Sequence, residues 1–168
     1  EDEIEYDLKS AFNIDKVLWL ESGFLEGDDT DSHIDTLARL CPDNTIVYEK
    51  CTDVNDTHYS ALKDMEDELK SFTNCKGEKF NLLPLPFPNA IYDDNGERLP
   101  ATYANFLIMN GAVLVPTYNQ EKNDIEALKV IQSAFPQHEI IGVDCRALIK
   151  QHGSLHCITM QYPKSVQQ

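Results

Sequence analysis

Four acidic residues and one histidine fall within nine positions of Gly27-Asp-Asp-Thr-Asp-Ser-His-Ile-Asp35. In most chains such a cluster is a solvated loop, because aspartate favours turns and caps. Here it runs directly into the apolar stretch Ile34-Asp-Thr-Leu-Ala-Arg-Leu40, which reads as a strand. Side chains alternate along a strand, so His33 and Asp35 are expected on one face, a base and a carboxylate side by side. At the far end of the chain, Gly153-Ser-Leu-His-Cys-Ile-Thr159 offers a thiol at Cys157. A thiol attacks only as thiolate, and an imidazole or a cation nearby is what generates one. His33 is the expected partner. His156 is adjacent to Cys157 and would point to the opposite face if Leu155–Thr159 were a strand. Gly153 permits a close backbone approach and a sharp turn before it.

Each of these residues also has an ordinary reading. A cysteine in a strand is most often a small buried hydrophobe. Asp35 is an exposed strand acid or a partner that orients His33, and Asp28, Asp29 and Asp31 are loop acids. The chemical reading of Asp35 is a carboxylate that holds a planar cation by two parallel hydrogen bonds, which suits a guanidinium. The acids do not form a calcium loop, since the alternating acids and the bidentate glutamate at fixed spacing are missing. A zinc site built from Cys157, His156 and His33 is a separate alternative. His58, His138 and His152 have no placed partner and read as surface residues, and Trp19 reads as core.

The elements that must position these groups follow from periodicity. Ile4, Leu8 and Phe12 recur at helical spacing, so residues 2–12 read as a helix. Lys16–Leu20 reads as a buried strand. Ile34–Leu40 and Thr45–Glu49 form a hairpin across Pro42-Asp-Asn44. Residues 58–72 form a helix with Leu62, Met65, Leu69 and Phe72 on one face, and Phe80–Leu85 is a strand. The order then repeats. Tyr103–Met109 and Ala112–Pro116 form a hairpin across Asn110-Gly111, residues 121–135 a helix, and Glu139–Val143 a strand. Arg146–Lys150 is a helical turn and Leu155–Thr159 a last strand. The fold class is α/β in the order αβ, ββαβ, ββαβ, β. Two copies of one unit are expected at about 34–85 and 103–143, with 1–20 ending a preceding unit and 154–160 supplying the first strand of a following one. Thr45-Ile-Val-Tyr48 occupies the place of Ala112-Val-Leu-Val115. Repeat architectures need neighbours to bury each unit's faces. The sequence is therefore expected to be a single partial domain whose amino-terminal half lies elsewhere.

Composition limits the function classes. The 168 residues carry 14 basic and 29 acidic side chains, for a formal net charge of −15. Nucleic acid and anionic membranes are repelled, so neither is an expected partner, whereas a small cation is attracted. The 42% hydrophobic content is enough for a core. Five cysteines without a CxxC pair argue against a disulfide framework or zinc ribbon and fit a reducing, cytoplasmic setting.

Three segments in order, Gly27–Asp35 followed by Leu-Ala-Arg, Pro100-Ala-Thr-Tyr-Ala-Asn105, and Gly153–Thr159, resemble the agmatine deiminase family, whose close kin are the bacterial peptidylarginine deiminases. The likeness spans about Lys16 to Gln161. It implies a pentein fold, a five-bladed ring of ββαβ units around a central site. It implies that Cys157 is the nucleophile, His33 the general acid/base and Asp35 the carboxylate gripping the guanidinium. Gly153 would line the substrate slot, and Asp29 or Asp31 would help shape the pocket. The implied reaction hydrolyses agmatine to N-carbamoylputrescine and ammonia through a covalent thiouronium-type adduct on Cys157, a step of putrescine synthesis, with no metal or organic cofactor. A second guanidinium-binding carboxylate would come from the amino-terminal half. The alternatives are an arginine or peptidylarginine deiminase and, from another class, a non-catalytic pentein binding module. A homo-oligomer is also compatible.

Overall fold

The computed structural model describes residues 2–28 and 33–162. Asp29 and Asp31 lie outside the described residues. The architecture is mixed α/β, with three α-helices and two three-stranded sheets among the described residues. Helix α1 is Asp2–Phe12. The first sheet contains β1 (Ala38–Cys41), β2 (Thr45–Lys50) and β3 (Asn81–Pro86), with helix α2 (Tyr59–Ser71) between β2 and β3. The second contains β4 (Leu107–Ile108), β5 (Ala112–Thr117) and β6 (Glu139–Asp144), with α3 (Glu121–Ala134) between β5 and β6. Both sheets have one antiparallel and one parallel pairing around a central strand. Ala38 faces Tyr48 and Thr45 faces Asn81 in the first, while Leu107 faces Leu114 and Ala112 faces Glu139 in the second.

The hydrophobic periods explain the layering. In α2, the residues Leu62, Met65, Glu66 and Leu69 are buried, the spacing of a single helical face. Along β2, Ile46 and Tyr48 join Leu62, Met65 and Leu69 in one cluster, while Val47 joins the other cluster with Tyr103, Phe106, Val113, Val115, Ile131 and Phe135. A strand buried on both sides divides its alternate residues in this way. Helix α3 packs against β3 and β6, so it lies between the sheets, while α2 covers the far side of the first sheet. The hairpin turns follow their chemistry. Asp43 and Asn44 take φ of 55° and 56°, and Gly111 takes φ of 87°.

Four expected strands differ from the structure. Lys16–Leu20 joins no described strand. It is tied to α2 and its C-terminal end by side chains instead, since Lys16 Nζ donates to Thr73 O at 2.6 Å and the Glu21 N–H to Glu68 Oε2 at 2.8 Å. Trp19 is 37% exposed, not core. The segment expected as Ile34–Leu40 begins with a 3₁₀ turn, Ile34–Thr36, and becomes a strand only at Ala38. Leu155–Thr159, expected as the first strand of a following unit, holds a 3₁₀ turn at His156–Ile158. Both turns are closed by a threonine three residues after a histidine. Thr36 Oγ1 donates to His33 O at 2.8 Å, and Thr159 Oγ1 to His156 O at 2.7 Å. A hydroxyl that bonds its own local backbone competes with strand pairing. The fourth case is Tyr103–Met109, where only Leu107–Ile108 pairs. Residues 101–106 are all buried and find other hydrogen-bond partners.

Gly27 is the tightest backbone approach. It has φ of +85°, and a Cβ there would lie 2.2 Å from the Arg98 carbonyl oxygen. Gly27→Ala is expected to cost at least about 2 kcal/mol, since strain adds to a clash with main chain. Urea unfolding checks this, and an unchanged midpoint would contradict it.

Candidate active site

Asn105 is the hub of the site. It is buried, and both ends of its amide are committed. Nδ2 donates to Asp35 Oδ2 at 2.9 Å. Oδ1 accepts the backbone N–H of His156 at 2.8 Å and of Cys157 at 3.4 Å, and it also accepts the Cys157 thiol at 3.5 Å. The amide cannot be turned round, because a carboxylate only accepts and a backbone N–H only donates. His156 Nδ1 lies 2.6 Å from the same Asp35 oxygen, which places its proton on Nδ1 and leaves Nε2 free of that bond. The two 3₁₀ turns, 34–36 and 156–158, are thus drawn together on one buried amide.

Of the expected site residues, Asp35 and Cys157 converge on Asn105. The grip differs from the expected pair of parallel hydrogen bonds. Oδ2 is taken by Asn105 and His156, so Oδ1 is the oxygen left to face a ligand. His33 is exposed as the residue capping its turn, and its ring makes no hydrogen bond among the described residues. Alternation along a strand does not align it with Asp35, because the pair sits at the start of a 3₁₀ turn. His156, set aside on strand geometry, is in the site because its segment is not a strand. Gly153 is buried, and the sharp turn before it is made by His152, at φ 65° and ψ 21°. Among the described residues, no group of three or more His, Cys, Asp or Glu is placed to hold a metal ion. Cys157, His156 and His33 therefore do not form the zinc set considered as an alternative.

The surroundings hold the two turns in place. Arg39 Nη1 donates to Phe106 O at 2.8 Å and Ala104 O at 3.4 Å, with the guanidinium carbon 4.7 Å from the Phe106 ring centroid. It clamps β1 to the segment carrying Asn105. Burial lowers its pKa, and the nearby Asp35 charge works against that. His58 is fully buried, a correction to its reading as a surface residue. Its Nε2 accepts the Glu26 N–H at 2.9 Å, so Nδ1 carries the proton and donates to Asp56 at 2.7 Å. Burial lowers the His58 pKa and keeps the ring neutral, stacked on Phe24. Burial also opposes ionisation of Asp56, but the bidentate Arg98 and the His58 bonds outweigh it and hold its pKa at about 2. His152 is likewise no free surface residue, since its Nδ1 donates to Gly27 O at 2.9 Å. The base of the acidic loop is therefore fixed from two sides at Glu26 and Gly27.

An apolar cavity of about 430 Å³ opens beside Asp35, with Val17, Leu18, Leu40, Ile46 and Phe72 in its wall. A larger one, about 580 Å³, lies between Lys50, Phe87 and Lys122 and shares no residue with the Asn105 cluster. Asn105 and His156 stand inside the segments singled out in the sequence, but nothing in residue order shows that one amide gathers both. The repeated His-x-x-Thr of His33–Thr36 and His156–Thr159 is the signal that marks both turns.

The family model described as Porphyromonas-type peptidyl-arginine deiminase matches residues 1–163. An agmatine deiminase of Medicago truncatula is 32% identical over 96% of this chain and 48% of its own length. A crystal structure from Porphyromonas gingivalis, provisionally described as an arginine deiminase, is 55% identical with a TM-score of 0.93, covering 98% of this chain and 48% of that one. A substrate-bound agmatine deiminase from C. jejuni is 47% identical with a TM-score of 0.85, covering 93% of this chain and 44% of that one. The chain spans about half the length of the curated relatives it matches.

Proposed function

The chain belongs to the Porphyromonas-type peptidyl-arginine deiminase family, and we propose from that premise that it carries the nucleophilic half of an agmatine deiminase. The observation that supports this most is the gathering of the Cys157 thiol and the Asp35 carboxylate on the single Asn105 amide. A nucleophile and an anion side by side suit attack on a cationic carbon, and the −15 charge favours a cationic substrate.

In the proposed reaction, Asp35 Oδ1 and a carboxylate from outside these 168 residues hold the guanidinium. Desolvating that cation is costly, so paired acids are required. The Cys157 thiolate attacks the guanidinium carbon and forms a C–S bond. His33 gives a proton to the departing nitrogen, and ammonia leaves. The remaining thiouronium group on sulfur is attacked by water, from which His33 takes a proton. The C–S bond breaks, and N-carbamoylputrescine leaves. His156 holds Asp35 in position through Nδ1. Gly153, followed by Ser154, lets the backbone approach the substrate, and Asp29 or Asp31 helps to shape the pocket. No metal takes part in these steps. The two sheets form two ββαβ units of a pentein ring, and the protein works in the reducing cytoplasm in putrescine synthesis.

A second reading, arginine or peptidylarginine as substrate, is favoured by the arginine deiminase description of the P. gingivalis neighbour. Such substrates bring a carboxylate or a peptide backbone. Ammonia release from agmatine, free arginine and a peptidylarginine, assayed side by side on the purified protein together with the half that supplies the second carboxylate, separates the readings. Agmatine is expected to have the highest kcat/KM. Preference for either arginine substrate would transfer the assignment, and release from none would leave a binding module.

A further inference from the structure

We propose that Glu49 is held as a neutral carboxylic acid and that this neutral state keeps Asp35 and Asn105 in register. This rests on reading the Asp35–Asn105–Cys157 cluster as the reacting site.

Glu49 is on β2 with its side chain turned away from those of Tyr48 and Lys50, both of which reach Glu66. It is fully buried. Its Oε1 accepts the N–H of Tyr103 at 2.6 Å and of Ala104 at 2.9 Å, and it lies 3.0 Å from Thr102 Oγ1. Those bonds replace the strand pairing that residues 102–104 lack. Thr102 Oγ1 is also 2.7 Å from the Thr36 carbonyl oxygen. The Thr102 hydroxyl has one proton for two acceptors, Glu49 Oε1 and the Thr36 carbonyl, and a neutral acid leaves it on the shorter contact to Thr36. Oε1 is the accepting oxygen, so the acid proton belongs on Oε2. Oε2 has no hydrogen-bond partner among the described residues. On an ionised group that oxygen would carry unsolvated charge, which is far costlier than a neutral hydroxyl.

Among the described residues, no cation acts on Glu49 to offset such a charge. The titratable groups that feel Glu49 are the phenols Tyr103 and Tyr118, both pushed upward by burial and both neutral. Burial likewise pushes Glu49 up to about 8, against the opposing pull of its bonds to Thr102, Ala104 and Tyr103.

Thr102 Oγ1 bridges Glu49 Oε1 and Thr36 O, and beside a neutral Glu49 its proton stays on the Thr36 contact. Thr36 follows Asp35, and Ala104 precedes Asn105. Ionisation would turn the Thr102 proton toward the carboxylate and release Thr36. Glu49 touches no reacting atom in this arrangement, so it is a positioning residue.

Its folded pKa is raised above the ordinary 4.5, so its contribution to stability is fully present below about 4.5 and is lost as pH rises toward about 8. Glu49→Gln removes that titration. In urea unfolding of the purified protein, the wild-type folding constant relative to Glu49→Gln is expected to fall about tenfold per pH unit between about pH 5 and 8. A ratio that does not change with pH overturns the proposal. Infrared titration of wild type needs no variant. One un-ionised carboxylic band at neutral pH, lost as pH passes about 8, supports the proposal, and the absence of that band overturns it. For the positioning role, kcat is expected to fall in the same alkaline window in wild type and not in Glu49→Gln. An identical fall in both overturns that role. The unfolding and infrared readouts need no turnover, so a failed deiminase reading would be seen separately.

Discussion

Cys157→Ser is expected to lower ammonia release from agmatine by about 10³-fold or more, while agmatine binding, measured by calorimetry, changes little. Serine keeps a donor within reach of the Asn105 amide oxygen, which the thiol approaches at 3.5 Å, so the local fold survives. The alkoxide needed for attack is far harder to form than a thiolate. The loss should therefore fall on kcat with KM nearly unchanged, the pattern of an interaction needed only in the transition state. Retained turnover would remove the covalent step. Joint loss of binding and turnover would point to a collapsed turn at 156–158.

Asp35→Asn is expected to reduce kcat/KM by roughly 10²- to 10³-fold, corresponding to about 3–4 kcal/mol for a cation deprived of its partly buried anion. Unlike Cys157→Ser, it should weaken agmatine binding, because the charge is needed in the ground state as well. A second effect follows from Oδ2. This oxygen accepts from both Asn105 Nδ2 and His156 Nδ1, so an amide placed there presents one oxygen to two donors and turns its NH₂ toward the ligand. The effect should exceed simple charge loss. Binding of agmatine at wild-type affinity would show that the guanidinium is held elsewhere.

Much of the scaffold was legible because it follows from hydrophobic period and turn chemistry. The α2 face of Leu62, Met65 and Leu69, the Asp43-Asn44 turn and the strand at Glu139–Asp144 all follow local rules. The two turns that carry Asp35 and Cys157 were misread as strands for a single reason. Apolar residues bracket a threonine whose hydroxyl bonds backward to the main chain, and a pattern of apolar and polar residues does not register that bond. That error set His156 aside, since its exclusion depended on strand alternation. Asn105 was hidden differently. It stands within Pro100–Asn105, but its role comes from contacts with residues 70 and 51 positions away. Glu49 looked like the polar end of a strand. Its burial follows from a segment, 101–106, that lacks strand partners, and no local pattern shows that a side chain replaces a ladder. His58 appeared as part of a helix start and proves to be a neutral ring beneath the acidic loop.

The most direct test of a covalent deiminase is to quench the protein with acid during turnover of agmatine and weigh the peptide that contains Cys157. The account predicts an added mass equal to agmatine less ammonia, located on Cys157 and absent from Cys157→Ser. Ammonia released at full rate with Cys157 never modified, or an adduct on another residue, would contradict it.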